Sequence, residues 1–172
     1  EFGSTYLEVT KIFRKNVIKF SNQNLGDNLD LIMSKTIKNF SQIVKKVNPD
    51  LIVIHGDRVE ALACSTVGAL NHILTAHVEG GEVSGTIDDS IRHAITKLSH
   101  IHFIGSTSAK KRVSNMGEDI KNIYKIGSPD IDIILNDKLP TLKQVRKRYD
   151  INFKEYGIVL WHPVTSDLNN LY

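Results

Sequence analysis

Leu51-Ile52-Val53-Ile54-His55-Gly56-Asp57-Arg58 is the stretch that decides the fold. Its first four residues are apolar and mostly β-branched, a run too short for a helix and typical of a strand buried on both faces. Polar residues follow at once, so the strand ends in groups able to do chemistry. Upstream, Leu25, Leu29, Ile32, Met33, Ile37, Phe40, Ile43, Val44 and Val47 recur in steps of three and four. That spacing predicts an amphipathic helix over Leu25–Val47, stopped by Asn48-Pro49. Downstream the pattern predicts a helix over 59–70, a strand over 73–78 and a Gly80-Gly81 turn. A helix over 88–98, capped by Thr86, a strand over 101–104, a helix over 106–116 and a strand over 123–126 follow. Short helices over 129–135 and 142–149 precede a last expected strand at Ile158-Val159-Leu160-Trp161. Strands alternating with helices across short turns imply an α/β fold, a doubly wound parallel sheet with helices on both faces.

Composition narrows the function classes. The 172 residues are 41% hydrophobic and 24% charged, which excludes a disordered chain, a coiled coil or a collagen-like repeat. Lys and Arg number 22 against 19 Asp and Glu, for a net charge of +3, too mild for a nucleic-acid or anionic-membrane binder. The single cysteine, Cys64, excludes an internal disulfide and a Cys-rich zinc site. No apolar run approaches the ~20 residues of a membrane span and no signal peptide is evident, so a soluble, cytoplasmic protein is expected. The chain opens Glu1-Phe2-Gly3-Ser4 without an initiating Met and stops at Tyr172 just after the last expected strand. A piece of a longer protein is expected.

In a parallel sheet, chemistry gathers beyond the carboxyl ends of the strands. Two strands, expected at the centre of the sheet, end in His55-Gly56-Asp57-Arg58 and His77-Val78-Glu79-Gly80-Gly81-Glu82. They would bring Asp57 and Glu79 to one crevice. The loop Val83-Ser84-Gly85-Thr86-Ile87 leads into Asp88-Asp89, on a helix that carries Arg92 and His93. Asp88 and Arg92 share a face there, as do Asp89 and His93. Six carboxylates (Asp57, Glu60, Glu79, Glu82, Asp88 and Asp89) stand against Arg58 and Arg92 in this stretch. Such crowding is expected to raise carboxyl pKa values toward neutrality. For Glu60, Glu82 and Asp88, complementing a helix dipole is an equally good use. The histidines lack metal-ligand spacing, and no metal is expected. Gly80-Gly81-x-x-x-Gly85 is not a dinucleotide fingerprint and no phosphate-binding Gly-x-x-x-x-Gly-Lys loop occurs, so no cofactor is expected.

Three segments then resemble a known family: Ile54-His55-Gly56-Asp57-Arg58, the block from His77 to His93, and Trp161-His162-Pro163-Val164-Thr165. Together they are similar to the UDP-N-acetylglucosamine 2-epimerases, most of all the hydrolysing branch that makes N-acetylmannosamine for sialic-acid pathways. The resemblance implies two Rossmann-like domains in a glycosyltransferase-B-like architecture, with the active site between them. Residues 1–138 would form most of the first domain without its opening strand, 139–156 a connection, and 157–172 the start of the second. It further implies removal of the sugar C2 proton, expulsion of UDP and addition of water. By motif, Asp57, Glu79, Asp88, Asp89 and His162 become catalytic candidates. Arg58, Gly80, Gly81, Glu82, Ser84, Arg92 and His93 become substrate-binding candidates. The implied partner is UDP-N-acetylglucosamine or a related UDP-sugar, and a homo-oligomer is expected of the full-length protein. Non-hydrolysing epimerisation, a UDP-2,4-diacetamido sugar substrate, and a sugar-nucleotide binding module without catalysis are the alternatives.

Overall fold

Residues 6–135 and 139–160 are described by a computed structural model. Helix α1 (Tyr6–Phe13) precedes the longer α2 (Leu29–Val47). The expected start of α2 at Leu25 is corrected to Leu29. Leu25 is fully exposed, Gly26 turns the chain at φ +88°, and Asn28 is the cap. The C-terminus falls where expected, with Asn48 left-handed at φ 49° ahead of Pro49.

Strand β1 (Leu51–His55), α3 (Val59–Leu70), β2 (Leu74–Val78), α4 (Ile87–Lys97), β3 (Ile101–Ile104) and α5 (Thr107–Asn115) follow in strict alternation. A 3-10 turn over Ile120–Asn122 feeds β4 (Ile123–Lys125), and α6 (Pro129–Ile134) and α7 (Leu142–Arg148) complete the described elements. Thr86 caps α4 as expected, its hydroxyl accepting from the Asp88 amide. The four strands form one parallel sheet in the order β1-β2-β3-β4, with Leu51 opposite Leu74, Ala76 opposite Ile101 and His102 opposite Ile123. The α/β parallel sheet is therefore as read from the sequence.

Among the described residues, one face of this sheet is covered. Right-handed crossovers that step in one direction place every intervening helix on the same face. Along β1 the burial alternates: Ile52 and Ile54 are buried while Leu51, Val53 and His55 are exposed. Ile52 and Ile54 pack with Val67 of α3 and Ile95 of α4. Ile104 and Ile123 pack with Ala109 and Val113 of α5. The opposite face, with Leu51, Val53, Leu74 and Tyr124, is left open among the described residues. Among the described residues β1 is thus covered on one face and lies at the edge of the sheet, which corrects the expected burial on both faces and central position. Ile158, Val159 and Leu160 form no strand and are exposed, and Trp161 lies outside the described residues. No ladder partner is present among the described residues to turn that apolar run into a strand.

Candidate active site

All four strands point their carboxyl ends the same way, and each end turns sharply. After β1, Gly56 adopts φ +81° and donates its amide to the Val78 carbonyl at 3.1 Å, which carries the chain to Asp57. After β2, Glu79 itself is left-handed, at φ +64°, with its amide held by the Phe103 carbonyl at 2.8 Å. A non-glycine residue pays for that conformation with roughly 1–3 kcal/mol of strain. After β3 and β4 come Ile104-Gly105-Ser106 and Ile126-Gly127-Ser128, the same tripeptide twice.

These ends meet in a cleft of about 570 Å³ lined by Glu79, Glu82, Arg92, Gly105, Ser106 and Ser128, among others. Each serine serves a carboxylate across the cleft. Ser128 Oγ donates to Glu79 Oε1 at 2.9 Å, and Ser106 Oγ donates to Glu82 Oε1 at 2.8 Å. The other oxygen of Glu79 lies 2.8 Å from His55 Nε2. Arg92 donates to Asp57 and forms an ion pair with it, while its buried Nε has no partner among the described residues.

At Glu79 and Asp89 the expected mutual raising of carboxyl pKa values is not found. Burial raises the Glu79 carboxyl, but hydrogen bonds from His55 and Ser128 and the charge of His55 outweigh it, and the net shift is downward. Asp89 is also lowered, by the amides of Ser84 and Gly85. Crowding fails as a guide because each of these carboxylates has its own donors.

The sequence candidates therefore divide. Glu79, Glu82 and Arg92 line the cleft, and Asp57 joins them through Arg92. Asp88 shares a helix face with Arg92, but Arg92 pairs with Asp57. Asp88 instead accepts from the Thr86 hydroxyl at 3.1 Å. Asp89 holds the loop before α4, accepting from the Ser84 amide at 2.5 Å and hydroxyl at 3.0 Å and from the Gly85 amide at 2.9 Å. Ser84 is thereby spent on Asp89, and His93 sits partly buried on α4, its Nε2 without a partner among the described residues. Exposed Arg58 turns to Glu60 at 3.3 Å, away from the cleft-lining groups. Gly80 and Gly81 are buried for packing. A Cβ on Gly80 would lie 2.9 Å from His77 Nδ1, and one on Gly81 2.7 Å from the Ala109 carbonyl oxygen. His162 lies outside the described residues.

Three neighbours of the site escaped the sequence reading: His55, Ser106 and Ser128. The repeated Ile-Gly-Ser after two strands was the available signal. Another histidine, His77, does its work from below the site. Fully buried, it donates from Nε2 to the Gly56 carbonyl at 2.9 Å and accepts at Nδ1 from the Thr96 hydroxyl at 3.1 Å. Burial pushes its imidazole down to about 4, so it ties the Gly56 turn to α4 as a neutral ring. Among the described residues no cluster of His, Cys, Asp and Glu could hold a metal ion.

Residues 1–171 match the sequence profile of a family described as UDP-N-acetylglucosamine 2-epimerase. The chain belongs to the UDP-N-acetylglucosamine 2-epimerase family. A UDP-N-acetylglucosamine 2-epimerase from Neisseria meningitidis serogroup B is 46% identical over 96% of this chain and 44% of its own length. A GDP/UDP-N,N'-diacetylbacillosamine 2-epimerase (hydrolyzing) from Campylobacter jejuni is 38% identical over 99% of this chain and 45% of its own. A crystal structure of a UDP-GlcNAc 2-epimerase from N. meningitidis bound to UDP-GlcNAc shares the fold, with a TM-score of 0.70 at 19% identity. It aligns with 87% of this chain and 42% of that one. The chain thus spans under half the length of the epimerases it matches. No helix among the described residues is long and apolar enough to cross a membrane.

Proposed function

We propose that the full-length protein is a hydrolysing UDP-N-acetylglucosamine 2-epimerase, converting UDP-N-acetylglucosamine and water into N-acetylmannosamine and UDP. The observation that carries this reading is the carboxyl edge of the sheet, where Glu79 and the Asp57–Arg92 pair meet in a chain of this family. Glu79, whose hydrogen bonds favour the ionised form, takes the proton from C2 of the sugar. The electron pair released forms a C1–C2 double bond and breaks the bond from C1 to the phosphate oxygen, so that UDP departs. Water then adds its oxygen to C1, and a proton returns to C2 on the opposite face. Asp57 is the second acid–base group, held in place by Arg92, whose Nε, without a partner among the described residues, serves as a donor for the sugar or the diphosphate. His162 is assigned to the diphosphate side. On this reading residues 1–138 form most of a first domain, 139–156 a connection and 157–172 the start of a second.

A UDP-2,4-diacetamido sugar is the second reading, favoured by the Campylobacter relative's name. Free UDP released from each sugar nucleotide by the full-length protein decides between them. Under the first reading UDP-N-acetylglucosamine gives UDP and N-acetylmannosamine. Asp57→Asn and Glu79→Gln each lower turnover by ~100-fold or more, since a positioned acid or base contributes 10²–10⁴. Glu60→Gln, paired with Arg58 outside the cleft, leaves turnover within a few-fold. UDP release only from the diacetamido sugar overturns the substrate, and no release from either overturns the proposal.

A further inference from the structure

We infer that Ser128 and His55 are positioning residues that clamp the two oxygens of Glu79 and hold its carboxylate in the cleft; this rests on the role just proposed for Glu79. Three observations converge on the clamp. The Glu79 backbone is strained at φ +64°, a conformation that persists only where its surroundings over-determine it. Both carboxylate oxygens are engaged, Oε1 by Ser128 and Oε2 by His55, from two different strand ends. Ser128, finally, occupies the cap position of α6 yet makes no side-chain capping bond. The serine of the twin tripeptide, Ser106, both caps α5 through the Ala109 amide at 3.1 Å and donates to Glu82. Among the described residues the Ser128 hydroxyl makes no capping bond and serves Glu79.

A free carboxylate on a solvated side chain samples many rotamers, whereas two donors from opposite sides leave it one. They also favour the ionised form that a base requires. The charged and titratable groups facing Glu79 are His55 from β1, Arg92 from α4, Glu82 from its own loop and Asp132 from α6, with Asp57 behind Arg92. Arg92 and the His55 hydrogen bond favour ionisation, and Glu82 and Asp132 oppose it. Removing a clamp donor therefore moves Glu79 toward protonation.

The test uses the full-length protein and Ser128→Ala, Ser128→Thr and His55→Ala. In the pH profile of kcat/KM for UDP release, Ser128→Ala and His55→Ala each shift the acid limb upward by about one pH unit, as expected for one lost charge-assisted hydrogen bond. At the plateau kcat falls about tenfold while KM changes little, and Ser128→Thr restores both limb and plateau. An acid limb unmoved in both alanine variants overturns the clamp, and so does a Ser128→Thr protein no better than Ser128→Ala. If the wild-type protein releases no UDP, the proposed function fails, and the clamp is then decided by carbon-13 NMR titration of the Glu79 carboxyl, assigned with Glu79→Gln. An upward shift in Ser128→Ala supports it, and an unchanged titration overturns it.

Discussion

His77 links a single side chain to both stability and the site. Its pKa is about 4 in the fold against 6.5 for a free imidazole, because burial disfavours the charged ring. The sign follows from proton counting: between these values the unfolded chain binds a proton that the folded chain refuses. The stability that this neutral ring contributes is whole above pH 6.5 and is lost as pH falls toward 4, by about 3 kcal/mol in total. His102, also buried and lowered by burial, acts in the same direction. Urea unfolding at pH 7, 5.5 and 4.5 is expected to give steadily falling midpoints, and a flat series would contradict the neutral buried ring. At this scale Glu79 and Arg92 were legible in the sequence, because each stands at a strand end or on the helix facing it. The partnerships were not. Asp57 takes Arg92 across 35 residues of chain, and Asp88, four residues from Arg92, does not. Helical spacing reports neighbours on one element only, so a contact between elements is invisible to it.

Among the elements, the turn between β2 and α4 is the most constrained. Gly81 has φ +80°, and a methyl group there would collide with the Ala109 backbone and with Val113 of α5. Gly85 has nearly the same angle, φ +78°, with open space around it. Substituting alanine separates conformational strain from steric collision. Gly85→Ala is expected to cost about 1 kcal/mol for the left-handed backbone alone. Gly81→Ala carries the same strain plus a backbone collision, and about 3 kcal/mol or more is expected. Denaturation midpoints of the two variants check this, and equal losses would show that α5 does not press on the turn. The succession of elements from α2 to α7 could be read from periodicity, Pro49, Thr86 and the glycine turns, since those signals are local. The start of α2 was misplaced because Leu25 continues the apolar spacing although Gly26 has already broken the helix.

For the whole molecule, the open sheet face matters most. Leu51, Val53, Leu74 and Tyr124 remain exposed on a sheet whose intervening helices α3, α4 and α5 lie on the other side. Apolar strand residues read as doubly buried because composition records what a strand can bury, and only the assembled layers decide what covers it. The chain also spans only 44% of its Neisseria relative, so the chemistry proposed here belongs to the full-length protein. Its central claim is that a carboxylate removes the C2 proton and solvent returns one. The direct measurement is to run the full-length protein with UDP-N-acetylglucosamine in deuterium oxide and examine C2 of the N-acetylmannosamine by proton NMR and mass spectrometry. The account predicts one deuterium at C2 in essentially every product molecule. Product that keeps its original hydrogen at C2 would contradict it.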